Sequence, residues 1–118
     1  MNRWIEEAMD RLLGSRTPEG AWGYRRGAAP AVEPTSLARL GLQSLASRRE
    51  TFPKIIAAID HAIGWLTSVQ RPDGSLGATS SPSSPGWPTP LAVLCWHFLK
   101  TQKAARKSGI DWLLQLKG

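Results

Sequence analysis

The sequence is built on an internal repeat. Pro18-Glu19-Gly20-Ala21-Trp22-Gly23 returns without a gap as Pro72-Asp73-Gly74-Ser75-Leu76-Gly77. The same displacement carries Pro34-Thr35-Ser36-Leu37-Ala38 onto Pro88-Thr89-Pro90-Leu91-Ala92, and Ile5, Ala8 and Leu12 onto Ile59, Ala62 and Leu66. A fixed period means one supersecondary unit used repeatedly, each copy too small to bury its apolar face alone and therefore packed on its neighbour. A third unit opens near Ala104, where Gly109-Ile110-Asp111-Trp112-Leu113 follows the pattern of Ala62-Ile63-Gly64-Trp65-Leu66. The units are expected over residues 2–47, 53–102 and 104–118 of one domain, the last of them incomplete.

Within each unit the apolar spacing is helical. Trp4, Ile5, Ala8, Met9, Leu12 and Leu13 recur at i, i+3 and i+4, and so do Ile55, Ile56, Ile59, Ile63, Leu66 and Val69. The following segments, with Leu37, Leu40, Leu42 and Leu45 in one copy and Leu91, Leu94, Cys95, Phe98 and Leu99 in the other, are nearly apolar throughout, which predicts burial on several sides. Pro34 and Pro88 suit a first helical turn, where the missing N–H has no partner to lose. Thr51 is a candidate N-cap. Helices are predicted over 2–14, 34–46, 53–70, 88–102 and 104–116, joined by Gly/Pro/Ser/Ala-rich turns and loops with no period of two. The fold class is all-α, built from helical hairpins.

Charge and cysteine content narrow the function classes. The chain has 15 Lys and Arg against 9 Asp and Glu, a formal net charge of +6. The cations are scattered over Arg25 and Arg26, Arg48 and Arg49, and Lys103 to Lys107, without interleaved aromatic residues, so a solvated surface accounts for them better than a nucleic-acid platform. A single cysteine, Cys95, excludes an internal disulfide. No apolar run reaches the roughly 20 residues of a membrane-spanning helix. The opening residues carry Glu6 and Glu7 where a signal peptide needs an apolar stretch. The expected location is the cytoplasm or the periphery of a membrane.

Residues 65–77, with Gln70, Asp73, Gly74 and Gly77, resemble the Gln-Trp repeat of the squalene-hopene cyclase and prenyltransferase family, and Gly20, Trp22 and Gly23 resemble the same motif. The physical sense of the motif is a stitch. A glutamine amide donates and accepts at once, and so can bond free carbonyls of its own helix end and free N–H groups of a neighbouring helix start. Glycine permits positive φ at the turn, and a flat tryptophan covers the helix end. Each copy here keeps half the motif: Trp22 with Arg16 in the glutamine position, then Gln70 with Leu76 in the tryptophan position.

The resemblance implies an arc of an α/α toroid, about two and a half repeats long, with the helices starting at Pro34 and Pro88 lining an apolar cavity for an isoprenoid chain. It further implies a fragment or degenerate relative of a cyclase-like enzyme, completed by the remainder of a toroid or by self-association. A small non-catalytic module that binds an isoprenoid lipid or a protein partner, and a subunit of a homo-oligomeric ring, are the alternatives. Asp10, Asp60, Asp73 and Asp111 are too far apart in sequence for the Asp-x-Asp-Asp acid cluster of such cyclases. Cys95 follows Val93 rather than the Asp of the prenyltransferase zinc pair, and Cys95 and His97 point to different helix faces, so no metal or other cofactor is expected. No catalytic residue is assigned. Glu33 is either a charge favourable at a helix start or a cavity-facing acid. Trp87, Trp96 and Phe98 are either core or cavity lining with ring faces for a carbocation. His61 beside Asp60 reads as a surface pair, or as a base with its orienting acid.

Overall fold

The computed structural model describes residues 3–46, 53–79, 85–99 and 102–116. They form five helices, α1 (Arg3–Gly14), α2 (Val32–Ala46), α3 (Pro53–Ser68), α4 (Thr89–Leu99) and α5 (Lys103–Gln115), and no strand among the described residues. The all-α expectation is met. No helix among these residues is long and apolar enough to cross a membrane. The proposed N-cap Thr51 lies outside the described residues.

Helix ends differ from the sequence expectation in small ways with local causes. α2 begins at Val32, ahead of Pro34, because the Val32 N–H donates to Ala78 O of the second copy at 2.9 Å and the Thr35 N–H donates to Ala31 O at 3.2 Å. Pro34 therefore sits inside the first turn, where its ring still displaces no bond. α3 stops at Ser68 rather than at Gln70. The Thr67 hydroxyl donates to Ile63 O at 2.9 Å and that of Ser68 to Trp65 O at 2.6 Å, and Gln70 is left free to turn outward.

α3 buries Ile55, Ala58, Ile59, Ala62, Ile63 and Leu66, a stripe of the i, i+3, i+4 type. Burial of each large aliphatic in it contributes roughly 1.5–3 kcal/mol. α2 packs on α3 and α4, and α4 packs on α3 and α5. α1 joins through Met9 and Leu13, which belong to the same core, and through an exposed ion pair, Lys54 Nζ to Asp10 Oδ1 at 3.0 Å.

The two turns are built alike. Thr17 N–H donates to Ala21 O and Arg71 N–H to Ser75 O, both at 2.8 Å; Gly20 N–H donates to Thr17 O and Gly74 N–H to Arg71 O, both at 2.9 Å. Gly20 has φ 81° and Gly74 φ 94°, in the region a side chain resists. Each glycine also lies against a later helix: a Cβ on Gly20 would come 2.8 Å from His61 Cβ of α3, and one on Gly74 would collide with the Ser108 backbone of α5. α5 thus stands to the second turn as α3 stands to the first.

Candidate functional site

The turns hold α2 and α4 by their first residues. Thr35 Oγ1 accepts from Trp22 N–H at 2.9 Å and donates to Trp22 O at 3.1 Å. Thr89 Oγ1 accepts from Leu76 N–H at 2.9 Å, with its proton directed between Gly86 O at 2.7 Å and Leu76 O at 3.3 Å. Thr35, Trp22, Thr89 and Leu76 are buried, so each threonine satisfies backbone polarity that water cannot reach.

The stitch takes a form the sequence reasoning did not anticipate. The Gln70 amide donates to two carbonyls, Gly74 O at 3.0 Å and Ala105 O at 2.8 Å, and not between a carbonyl and a free N–H. It ties the end of α3 to the turn and to the first turn of α5. In the first copy Trp22 is almost wholly buried, and its indole Nε1–H donates to Leu12 O at 2.9 Å. Arg16, in the glutamine position, donates through Nε to Leu13 O at 2.9 Å, and the Ser15 hydroxyl donates to Leu12 O at 2.8 Å, so with Trp22 three side chains close the end of α1. Asp73 shapes the second turn by accepting from Ser75 N–H at 3.0 Å and Ser75 Oγ–H at 2.7 Å. Those two bonds hold its carboxyl below the ordinary aspartate range. Gly77 is buried and Gly23 is packed against the Ala28 and Ala29 carbonyls; neither has positive φ.

Anchored in this way, α2 and α4 present equivalent residues at the same level. Glu33 and Leu40 on α2 correspond to Trp87, just ahead of α4, and Leu94 on it. Seven residues is nearly two helical turns, so Glu33 and Leu40 share a face of α2, and Leu94 holds the position on α4 equivalent to Leu40. Leu40 and Glu33 are half-buried, Trp87 is 52% exposed and Leu94 42% exposed. The burial expected on several sides of these helices does not extend to Leu94, or to Leu37, 54% exposed on α2. Of the two alternatives for Trp96, the structure has the core one: it is fully enclosed and takes no part in the exposed face. The Phe98 side chain lies outside the described residues. Glu33 stands in the first turn of α2 beside Tyr24, whose hydroxyl pKa is raised by partial burial and then by the Glu33 carboxylate and the hydrogen bond to it.

Neither helix shows a charged residue on this face apart from Glu33. The other charged residue of α2, Arg39, is fully buried, and α4 has no Lys, Arg, Asp or Glu. α1, α3 and α5 expose Arg3, Glu6, Glu7, Lys54, Lys107 and Asp111 among others. No family model matches the chain, and no curated protein matches its sequence.

The edges of the two helices are used in a staggered way. Cys95 on α4 meets Ser36 on α2, its thiol donating to Ser36 O at 3.4 Å. The α2 positions equivalent to Leu91 and Cys95 are Leu37 and Gly41, both exposed; the α4 positions equivalent to Ser36 and Gln43 are Pro90 and His97, also exposed. Each helix thus has one covered edge and one open edge, and the two open edges are opposite in kind. A groove of about 420 Å³ lies elsewhere, beside the first turn, lined by Arg16, Thr17, Glu19, Gly20 and His61 among others. His61 is exposed there and packs its Cβ on Gly20. Among the described residues no three His, Cys, Asp or Glu side chains gather as metal ligands would.

Proposed function

We propose that the chain is an arc of the α/α toroid type, with α2 and α4 as inner helices, whose common face takes up a hydrocarbon chain such as an isoprenoid when further repeats extend it. The observation that carries this reading is the segregation of charge. α1, α3 and α5 turn charged residues to solvent, whereas the shared face of α2 and α4 offers Leu40, Trp87 and Leu94. A helix that ends against water normally keeps a charged outer face, and one that is apolar all round is made to be covered. The resemblance of both turns to the Gln-Trp repeat supports the same reading, since inner helices of that family line an apolar cavity. The reading concerns binding and assembly and assigns no reaction.

The open edges favour added repeats over a ring of identical copies. α5 packs on α4 as α3 packs on α2. The outer position beside the open edge of α4 is therefore filled, and what that edge lacks is an inner helix. A second copy docking α2 there would bring its own α1 into the space α5 holds.

Light scattering coupled to size-exclusion chromatography, with diphenylhexatriene as a hydrocarbon probe, tests the proposal. The expected result is probe fluorescence that Leu40→Lys and Leu94→Lys both diminish while far-UV circular dichroism is retained. A monodisperse monomer that leaves the probe dark, or probe uptake indifferent to both substitutions, would defeat it.

A further inference from the structure

Among the described residues, the interface between α2 and α4 holds a charge without a counter-charge. Arg39 is fully buried, and none of Nε, Nη1 and Nη2 has a hydrogen-bond partner in the structure. Two more buried groups on the same helices are also unpartnered, Ser36 Oγ one turn before Arg39 and Trp96 Nε1 on α4. Every one of them is a hydrogen-bond donor. Buried donors with no acceptor are costly, and an enclosed unpaired cation more so.

The local relief for Arg39 is Cys95, which offsets burial only in part. Burial lowers the guanidinium pKa, yet arginine stays protonated in proteins. Cys95 lies beside it, and its thiol is the nearest group able to become an anion. Burial raises the Cys95 pKa, however, and its proton is directed at Ser36 O, so the pair is a cation next to a neutral thiol. A buried positive charge with an unpartnered donor hydroxyl one turn away on its helix is the recognition pattern of an anion.

We propose that α2 and α4 close around a small monovalent anion of chloride size, held by the Arg39 guanidinium with the Ser36 hydroxyl. The enclosure sets the size limit, because no guanidinium atom reaches solvent. The grooves around the first turn do not include Arg39, so the site is separate from them. Val93, the α4 equivalent of Arg39, packs on Gly109 of α5, so the site belongs to the α2 and α4 pair alone.

The test compares thermal unfolding in sodium chloride and in sodium gluconate at equal ionic strength, gluconate being too large to be enclosed. The wild-type chain is expected to melt about 5 °C higher in chloride, rising with the logarithm of its concentration. Arg39→Met, which keeps the length of the side chain and removes the charge, is expected to fold and to melt at one temperature in both salts. Arg39→Lys keeps a cation and is expected to retain a weaker chloride effect, which serves if the methionine variant does not fold. In crystals grown in bromide, anomalous density belongs at Arg39. Equal melting of the wild type in the two salts, or a chloride effect undiminished in Arg39→Met, would overturn the proposal.

Discussion

The Thr35 hydroxyl sits between the amide and the carbonyl of Trp22, taking a proton from one at 2.9 Å and giving its own to the other at 3.1 Å. Thirteen residues separate the two. One oxygen thereby fixes the start of α2 against the turn that closes α1. Thr89 does the same for α4 at Leu76. Thr35→Val leaves the Trp22 N–H buried without an acceptor and is expected to cost about 1–3 kcal/mol, with Thr35→Ser closer to wild type. Urea unfolding midpoints give both values.

Gly74 and Gly27 separate strain from collision. Both have positive φ, 94° and 82°, but a Cβ on Gly27 meets nothing within 4 Å, whereas one on Gly74 strikes the Ser108 backbone. Gly27→Ala is expected to cost about 1–2 kcal/mol from the backbone alone. Gly74→Ala adds an overpacking cost of about 1–3 kcal/mol and loosens α5. Thermal unfolding, with hydrogen exchange over Lys103–Gln115, checks the difference. Equal losses for the two variants would mean that α5 does not rest on the turn.

Leu76 tests whether restoring the full motif helps. It stands where the repeat pattern expects tryptophan, and its side chain is fully enclosed. Leu76→Trp is therefore expected to destabilise by about 1–3 kcal/mol. Trp22→Phe, which removes only the bond to Leu12 O, is expected to lose about 1 kcal/mol. A gain in stability for Leu76→Trp would show that the second turn has room the structure does not give it.

Asp73 gives the fold an acid dependence of known sign. Its folded pKa lies below the ordinary value, first through the Ser75 hydroxyl and then through the Ser75 N–H. A depressed folded pKa stabilises above the unfolded value, about pH 4, and the contribution disappears as pH falls through the folded pKa. Asp73→Asn is expected to flatten the stability profile below pH 4 and leave its shape near neutrality unchanged. Denaturant midpoints from acid to neutral pH show whether the slope persists in the variant.

The amino-acid sequence by itself determined the period, the all-helical class and the two turns. These are local properties. An i, i+3, i+4 stripe such as Ile55 to Leu66 needs only its own helix to be read, and Gly20 and Gly74 announce positive φ wherever the chain goes afterwards. Only the tertiary structure decided which edge of each repeated helix is covered. Ser36 and Pro90 hold equivalent positions, yet Ser36 is buried against α4 and Pro90 is exposed, because burial depends on the neighbour and not on the residue. For the same reason the enclosure of Arg39, the one cation of α2, was not legible in the sequence. The second acceptor of Gln70 and the seat of His61 on Gly20 were likewise beyond local reading. Both contacts join residues far apart in the chain, and they exist only once α3 and α5 have packed on the turns that precede them.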